Sequence, residues 1–444
     1  MIRAAVVGAG LAGCEAAWAL AQRGIGVDLY EMKPQRYSPA HKYPGFAELV
    51  CSNSLKASRL GSAAGLLKEE MRMLSSLTMA CAEQTSVSAG GALAVDREKF
   101  SDLVTRYIKS HPGITVHEGE VTAIPEGPAV IATGPLTDGA LAQAIRELCG
   151  SDTLSFFDAA APIVSFDSID QERVFFAARY GRGEDDYINC PFNKEEYEAF
   201  YDALIHAESA PLKEFDKRDF TVYEGCMPVE VMAKRGPDTL RFGPMKPVGL
   251  TDPRTGRRPW AVVQLRRENA EGTMFNLVGF QTNLKFPEQK RVFSMIPGLG
   301  NASFLRYGVM HRNSFLDSPR LLEPSFRFRG REDLYFAGQL TGVEGYTESA
   351  ASGILAGQNL ARYLLGQAPL ILPRDTMLGA LCAYISDKNV KDFQPMGANM
   401  GVLPPWPDRI RDKSQRYMLV AQRAVESLRA YLQQETPLCG KGDN

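Results

Sequence analysis

The beginning of this chain decides its fold. Residues 2–31 read IRAAVVGAGLAGCEAAWALAQRGIGVDLYE. An apolar run leads into a turn with glycines at positions 8, 10 and 13, an alanine-rich stretch of high helix propensity follows, and a second apolar run ends at Glu31. This order predicts a strand, a glycine turn, a helix and a second strand, which is the opening unit of a doubly wound α/β domain.

The spacing of the three glycines is typical of a dinucleotide site. Gly8 makes the tight turn, Gly10 lets a pyrophosphate approach the backbone, and Gly13 lets the helix lie close to the strand. The phosphates would then lie against free N–H groups at the positive end of the helix. Glu31 lies at the end of the second predicted strand, where its carboxylate can accept hydrogen bonds from ribose hydroxyls.

A second glycine loop near the other end of the chain bears on which dinucleotide binds. Residues 334–337 form a predicted strand that leads into Gly338, and a helix with many small residues is predicted for Ser349 to Leu365. A cofactor that is contacted by both ends of the chain is typical of tightly bound flavins. The pattern therefore favours FAD, with NAD alone as the alternative.

Between the two glycine loops the pattern changes. From about Ile163 to Tyr307, predicted strands and turns are separated by Pro and Gly, with one predicted helix from Lys194 to His206. The predicted fold class is α/β: a Rossmann-like FAD-binding domain of the glutathione reductase type, assembled from both chain ends, with an inserted α+β domain. The predicted divisions are residues 1–162, 163–307 and 308–444.

Composition excludes several classes of protein. The 444 residues carry 50 basic and 52 acidic side chains, a net charge of −2, which is ordinary globular composition. The eight cysteines lack the paired spacing of zinc modules, iron–sulfur clusters or disulfide scaffolds, and the five histidines show no metal-ligand spacing. No run of eighteen apolar residues predicts a membrane span. We therefore expect no metal site, no membrane insertion and a reducing, cytoplasmic compartment.

Two cysteines stand apart from the others. Cys51 and Cys226 both lie among turn-forming residues, whereas most single cysteines are buried packing residues. A free thiol has a pKa of about 8.5, so a nucleophilic cysteine needs a nearby cation or base. Candidate cations follow each one along the chain: Lys56 and Arg59 after Cys51, and Lys234 and Arg235 after Cys226. The residues alone thus predict a flavoprotein with one or two reactive thiols.

The small net charge hides two basic segments. Residues 246–267 carry six basic side chains and one acid, and residues 306–331 carry six arginines and two acids. Aromatic residues are interleaved with them, namely Trp260, Phe304, Tyr307 and Phe315. Such segments suit phosphate contact with base stacking, and a solvated basic face fits them equally well.

Blocks of sequence along the chain resemble the folate- and FAD-dependent tRNA (uracil-5-)-methyltransferases, the TrmFO family. After the glycine turn the blocks are LYEMKP (29–34), LVCSNSLK (49–56), GGALAVDR (90–97), ATGPLT (132–137), EGCMP (224–228), RFGPMKP (241–247), YGVMHRN (307–313), GVEGY (342–346) and FQPM (393–396). The resemblance covers nearly the whole chain, and together the blocks are far more specific than a glycine turn.

The resemblance implies a particular chemistry. Reduced flavin, recharged by NADH or NADPH, would accept a one-carbon unit from 5,10-methylenetetrahydrofolate and pass it to the T-loop uridine at position 54 of tRNA. Cys226 would be the nucleophile that adds to uracil, and Cys51 a proton-transfer group or alternative thiol. The implied FAD contacts are Gly8, Ala9, Gly10, Leu11, Ala12, Gly13, Glu31, Thr133, Gly338, Gln339, Glu344 and Gly345.

Three alternatives remain open from the sequence. The same chemistry could act on a uridine of ribosomal RNA. A related FAD protein modifies wobble uridines of tRNA, although it usually has a longer chain and a partner GTPase. A flavin-containing RNA-binding protein without turnover is the alternative from a different class, and the two cysteine blocks disfavour it.

Overall fold

The structure is a computed structural model that describes residues 2–150, 154–159, 161–181, 186–210, 227–390 and 393–435. The elements of the first part of the chain are β1 (Arg3–Val7), α1 (Leu11–Ala21), β2 (Gly26–Glu31), β3 (Ser54–Ala57), α2 (Ala63–Met73), α3 (Leu77–Gln84), β4 (Ser86–Val87), β5 (Ala92–Val95), α4 (Arg97–Ser110), β6 (Ile114–Glu118), β7 (Ala129–Ile131), α5 (Gly139–Cys149) and β8 (Leu154–Ala159).

The middle of the chain forms a different set of elements. They are β9 (Ile163–Ser165), β10 (Phe175–Phe176), β11 (Tyr187–Phe192), α6 (Lys194–Ile205), α7 (Val229–Ala233), α8 (Thr239–Phe242), β12 (Ala261–Arg267), β13 (Met274–Leu277), α9 (Phe286–Phe293) and β14 (Phe304–Arg306). The last part forms β15 (Met310–Phe315), α10 (Ser318–Leu321), β16 (Leu334–Phe336), α11 (Tyr346–Leu364), α12 (Met377–Ser386) and α13 (Lys413–Glu435).

A parallel sheet joins the two ends of the chain. Its strand order is β16-β7-β1-β2-β6, and each neighbouring pair is parallel. Strand β16 therefore lies in the same sheet as β1, although β1 begins at Arg3 and β16 begins at Leu334. The predicted α/β fold class with a Rossmann-like domain built from both ends is confirmed.

Helix α11 lies directly against α1. A Cβ atom on Gly353 would lie 2.1 Å from the Ala12 carbonyl oxygen, and one on Gly357 would lie 2.5 Å from the Ala16 carbonyl oxygen. Neither position has room for a larger residue without movement of the backbone. The sequence predicts that these small residues let the helix pack close to a sheet or a cofactor, but they serve a contact with another helix. The helix begins at Tyr346 rather than at the predicted Ser349.

The middle segment has its own sheet and its own core. Strands β10-β11-β12-β13-β9-β14 form an antiparallel sheet, and helices α6, α7, α8 and α9 pack against it around Phe200, Phe280 and Phe293, which are fully buried. Just outside this segment, β8 pairs with β15 in an antiparallel ribbon. No helix among the described residues is long and apolar enough to cross a membrane.

Several predicted boundaries shift in the structure. The alanine-rich stretch predicts a helix from Cys14 to Arg23, but α1 begins at Leu11, because its first backbone hydrogen bond runs from Cys14 N to Gly10 O and Gly13 lies inside the helix. Residues 34–62 are rich in Pro, Ser, Lys and Tyr, which predicts a long loop, but this segment contains strand β3, which pairs with β5 in a three-stranded sheet. The sequence also predicts a helix around residues 97–110, and α4 has those bounds, with the side chain of Asp96 as its N-cap.

Candidate active site

The parallel sheet brings four predicted loops to one place. Because its strands are parallel, their carboxyl ends lie at one edge of the sheet. Gly8 follows β1, Glu31 ends β2, Thr133 lies just beyond the end of β7, and Gly338 lies just beyond the end of β16. All four residues line one cavity of about 520 Å³. This is the position at which doubly wound folds bind their ligands.

The glycine turn forms one wall of the cavity, and its three glycines differ in what surrounds them. A Cβ on Gly8, where φ is +96°, would lie 2.7 Å from the Ala132 carbonyl oxygen. A Cβ on Gly13 would lie 1.7 Å from the Gly8 carbonyl oxygen, whereas a Cβ on Gly10 would meet nothing within 4 Å. Gly8 and Gly13 therefore permit close packing, and Gly10 borders open space.

The start of α1 offers hydrogen-bond donors to this space. Cys14 N donates to Gly10 O at 2.9 Å, which leaves the amides of residues 11–13 ahead of that first bond in the helix. Gly10, at the N-cap, has no side chain to accept from them. Free amides at the positive end of a helix bind phosphate, so this turn fits the pyrophosphate of a dinucleotide.

Glu31 is held rigidly beside the turn. Its side chain is buried, Oε2 accepts from Ala9 N at 2.7 Å, and Oε1 accepts from Lys33 N at 3.0 Å. A carboxylate has about four acceptor positions, so ribose hydroxyls can still donate to it. The backbone amides and this oriented acid together fit the phosphate and ribose groups of FAD.

The loop after β16 forms the facing part of the cavity. Gly338 N donates to the Ser352 hydroxyl at 2.7 Å, and Gln339 Nε2 donates to Glu344 Oε2 at 2.5 Å. Gly338 and Gln339 line the cavity, as do Ala9, Gly10, Leu11 and Ala12. Within the described part of the chain, three of the predicted contact residues lie outside the lining: Gly13, Glu344 and Gly345. Glu344 instead positions Gln339, and Gly345 is the N-cap of α11, with a φ of +122°.

Cys51 lines the same cavity and is bound to Tyr346. The Cys51 Sγ atom lies 3.0 Å from the Tyr346 hydroxyl oxygen, and the amides of Cys51 and Ser52 donate to that oxygen at 2.7 and 3.2 Å. Burial is the main reason that the pKa of Tyr346 is raised well above its usual value. The phenol therefore stays protonated and can donate to sulfur.

Three arginines create a positive environment for Cys51. The charges of Arg97, Arg266 and Arg306 all interact with that of Cys51. Positive charge near a thiol favours the thiolate, which is the nucleophilic form. Of the cations that follow Cys51 along the chain, Lys56 forms an ion pair with the buried Glu348, from Nζ to Oε1 at 3.0 Å.

The middle segment holds the Cys51 loop in place. Arg266 Nη2 donates to the Ser52 hydroxyl at 2.6 Å, and Arg266 Nε donates to Asn53 Oδ1 at 3.0 Å. Arg97 also pairs with Glu268 across the same contact, at 2.5 Å. These residues could not be assigned from local patterns, because their partners are distant in sequence. The sequence did indicate that Arg97 and Tyr346 matter, because they end the blocks GGALAVDR (90–97) and GVEGY (342–346), which carry the family resemblance.

The other cysteine proposed to be reactive is Cys226. Cys226 lies outside the described residues, so its predicted role stays a prediction. The described cysteines Cys14, Cys81, Cys190 and Cys382 are buried, and burial raises the pKa of each of their thiols. They behave as packing residues. The described residues contain no group of three or more His, Cys, Asp or Glu that could hold a metal ion.

Comparison with known sequences gives long matches. The model of the family "Glucose inhibited division protein A" matches residues 3–368. The protein of Acetivibrio thermocellus named methylenetetrahydrofolate--tRNA-(uracil-5-)-methyltransferase TrmFO is 59% identical over 428 residues, which cover 96% of this chain and 98% of that protein. The proteins of the same name from Pelotomaculum thermopropionicum and Enterococcus faecalis are 61% and 57% identical, over 95% of this chain in each case.

Comparison with solved structures supports the same fold. The GidA structure of Aquifex aeolicus in its form II crystal aligns with a TM-score of 0.69, and the alignment covers 97% of this chain and 75% of that one. The sequence identity is 16%, so this likeness concerns the fold alone. The family model and the full-length identity of 55–61% go further. This chain belongs to the glucose inhibited division protein A family and, within it, to the TrmFO proteins.

Proposed function

We propose that this protein methylates carbon 5 of a uridine in tRNA, at position 54 of the T loop, with 5,10-methylenetetrahydrofolate as the carbon donor. The observation that carries the proposal is that Cys51 and the glycine turn line one cavity. Relatives that match nearly the whole chain carry the name of this activity. We propose FAD as the bound cofactor and NADH or NADPH as its reductant.

The chemistry requires an activated uracil. Carbon 5 of uracil is a weak nucleophile until a group adds at carbon 6. In the proposed reaction the Cys226 thiolate forms a bond to carbon 6, and the electron pair of the 5,6 double bond moves toward the carbonyl oxygen at carbon 4. Carbon 5 would then take up the one-carbon unit, and loss of the carbon 5 proton would break the bond between that unit and its carrier, which leaves a methylene group on carbon 5. Hydride addition to this methylene would make the methyl group and expel the Cys226 thiolate from carbon 6. The glycine turn, Glu31 and the loop at Gly338 would hold FAD, which when bound and reduced would supply the hydride and the carrier for the carbon unit.

For Cys51 we propose a proton-transfer role. Its sulfur and the Tyr346 hydroxyl oxygen are 3.0 Å apart, which is within hydrogen-bond reach of a sulfur atom, so the protonated phenol can donate to the Cys51 thiolate and stabilise it. The surrounding arginines lower the energy of the thiolate, so Cys51 can act as a base toward carbon 5. Cys51 would therefore complement Cys226 instead of replacing it.

For the cofactor we propose specific contacts with the glycine turn, with Glu31, with Thr133 and with the loop that follows β16. The amides at Gly10 and residues 11–13 would hold the pyrophosphate, and Glu31 would accept from the adenosine ribose. Thr133, Gly338 and Gln339 would contact the flavin end, while Gly13, Glu344 and Gly345 would act through packing and through Gln339. These assignments are proposals that rest on the shape of the cavity and on the donors around it.

We further propose the division of the chain into residues 1–162, 163–307 and 308–444, with the middle part as the domain that receives RNA. A tRNA-modifying enzyme without a membrane-spanning helix among its described residues would work in the cytoplasm. Ribosomal RNA is the alternative substrate for the same chemistry.

The test is an assay with tRNA, labelled methylenetetrahydrofolate and reduced nicotinamide. The purified protein should be yellow, oxidise NADH or NADPH, and label the T-loop uridine of a transcript. A Cys226→Ala variant should retain bound flavin and lose methylation. Full methylation activity in that variant would refute the proposed nucleophilic role of Cys226. Competition between tRNA and ribosomal RNA fragments decides the substrate.

A further inference from the structure

Three aromatic rings form a continuous stack on one side of the cavity. The ring centroids of Phe286 and Tyr307 are 5.0 Å apart with an interplanar angle of 16°. Those of Tyr307 and Phe304 are 5.4 Å apart with an angle of 11°. Tyr307 is therefore the middle ring of a nearly parallel column, which we call the aromatic column.

The aromatic column is accessible from the cavity. All three of its residues line the cavity that Gly8 and Cys51 also line. Phe286, at the start of α9, is 52% exposed, so the outer end of the column is open to solvent. An exposed aromatic face is costly to hydrate, and a planar ring laid on it would remove that surface from water.

Arg306 lies in the same wall and has unused donors. Its Nε and Nη2 atoms are buried, and neither has an acceptor among the described residues. Burial and the nearby charge of Arg97 lower the pKa of this guanidinium. Donors of a buried guanidinium are rarely left without acceptors, because desolvating them is unfavourable. Their absence here points to an anionic ligand that completes the wall.

The other aromatic residues of the two basic segments do not share this arrangement. Phe315 is buried and packs edge to face on Phe393, at 5.9 Å. Trp260 carries the Arg241 guanidinium on its ring, at 3.8 Å, and lies outside the cavity lining. Only part of the predicted aromatic and basic pattern is therefore gathered at the cavity: the aromatic column together with Arg306.

We propose that the aromatic column is the platform on which the target uridine stacks after it has left the base stack of the RNA, with Arg306 holding the phosphate of that nucleotide. The inference rests on the proposed function and names the part of the site that receives RNA. An enzyme that acts on a base within folded RNA must extrude the base and replace its stacking. A ring column beside a guanidinium provides both a stacking surface and an anion partner.

The first experiment removes the exposed ring. Phe286→Leu keeps an apolar side chain at an exposed position, so the fold should persist. We expect the Kd for a tRNA transcript, measured by filter retention, to rise about tenfold. The matched control is Phe242→Leu, which removes a ring that is 83% exposed and lies outside the cavity lining. Equal losses for the two variants would overturn the proposal.

The second experiment concerns Arg306. If Arg306 contacts phosphate, Arg306→Gln should reduce the slope of log Kd against log salt concentration by about one, because one fewer counterion is released. Arg306→Lys keeps the charge and should restore most of the slope. An unchanged slope in the glutamine variant would contradict a phosphate contact.

Steady-state kinetics show whether the uridine of the RNA or the methylenetetrahydrofolate, which is also planar, stacks on the aromatic column. Stacking of the uridine predicts that Phe286→Leu raises the KM for tRNA more than the KM for methylenetetrahydrofolate. The reverse order would place the folate on the column and overturn the proposal. The binding measurements need no turnover, so they test the platform even if the wild-type protein proves inactive on tRNA, an outcome that would refute the proposed function alone.

Discussion

The two walls of the cavity are built in opposite ways. On the wall formed by the glycine turn, both oxygens of Glu31 already accept backbone hydrogen bonds, from Ala9 and Lys33. On the wall contributed by the middle segment, Arg306 keeps two buried donors without acceptors among the described residues. The first wall is organised before anything binds, as suits a resident cofactor. The second is completed only by an arriving ligand, as suits a substrate that must leave again.

The walls also differ in which part of the chain encodes them. The glycine turn uses backbone groups and small residues within one short segment. The substrate wall joins side chains from separate segments: Phe286 from α9, Phe304 and Arg306 from β14, and the neighbouring Tyr307. Substitutions on the first wall should therefore act through the backbone, and those on the second through side-chain pairing.

The largest effect is expected from Gly13→Ala. Its Cβ would lie 1.7 Å from the Gly8 carbonyl oxygen, so the strand, the turn or the helix must move. Such overpacking against backbone should destabilise the protein by about 3 kcal/mol or more and should abolish flavin binding. Thermal unfolding and the visible absorbance of the purified protein measure the two effects.

Gly10→Ala is the matched control for that substitution. A Cβ at this position meets nothing within 4 Å, so the Tm of the flavin-free protein should stay within about a degree or two of the wild type. The methyl group would nevertheless occupy space proposed for the pyrophosphate, and flavin content should fall. A Gly10→Ala variant that binds flavin normally would disprove the assignment of the phosphate site.

The next largest effect is expected at the contact between α4, which begins at Arg97, and the residue that follows β12, Glu268. Arg97 pairs with Glu268 at 2.5 Å, and the Glu268 side chain is 1% exposed. Arg97→Gln would leave that carboxylate buried without its cation, which should cost about 3 kcal/mol. The free energy of unfolding in urea measures this. Methylation should fall as well, because Arg97 also donates to the carbonyl oxygen of Leu49, close to Cys51 in the same loop.

A second ion pair crosses the same contact and provides the control. Lys99 pairs with Glu271 at 2.5 Å, but both side chains are more than half exposed. Solvent screens such a pair, so Lys99→Gln should change neither stability nor activity measurably. Similar losses in the two variants would mean that burial is not what makes the Arg97 pair important.

The cofactor wall could be predicted from the sequence because its signals are local. The turn, the helix after it and the acid follow one another between Gly8 and Glu31, and their spacing reflects backbone geometry. The strand at residues 334–336 was predicted in the same way. The sequence predicts that both chain ends build one FAD-binding domain, but it does not predict that this strand pairs with β7.

The substrate wall could not be predicted to the same depth. Aromatic residues next to arginines were recognised as a possible stacking surface, but Phe286 lies outside both basic segments, and Phe315 proved to be buried. The sequence offers Lys56 and Arg59 as cations near Cys51, whereas the charges of Arg266 and Arg306, which interact with Cys51 in the structure, come from the middle segment. Side-chain pairing between such distant parts of the chain is determined by tertiary packing, which spacing patterns do not record.

The smallest effect, taken per pH unit, is a pH dependence of stability that arises away from the cavity. Glu70 on α2 is fully buried, and its carboxyl oxygens accept from Met377 N at 2.6 Å and Leu378 N at 2.8 Å at the start of α12. Burial raises the pKa of Glu70 to about 8, and the two amides only partly offset this. The folded protein therefore retains a proton that the unfolded chain loses above its ordinary pKa of about 4.5.

The sign of this effect follows from proton linkage. The stabilising contribution of Glu70 is complete below pH about 4.5 and is lost as the pH rises toward about 8, with a slope of at most about 1.4 kcal/mol per pH unit. Glu70→Gln should remove that slope from urea unfolding curves between pH 6 and 8, because an amide does not ionise. Glu69→Gln, on the half-exposed side of the same helix, should leave the slope unchanged. If the Glu70 and Glu69 variants show the same pH profile as the wild type, Glu70 is ionised in the folded protein and its two amide hydrogen bonds outweigh its burial.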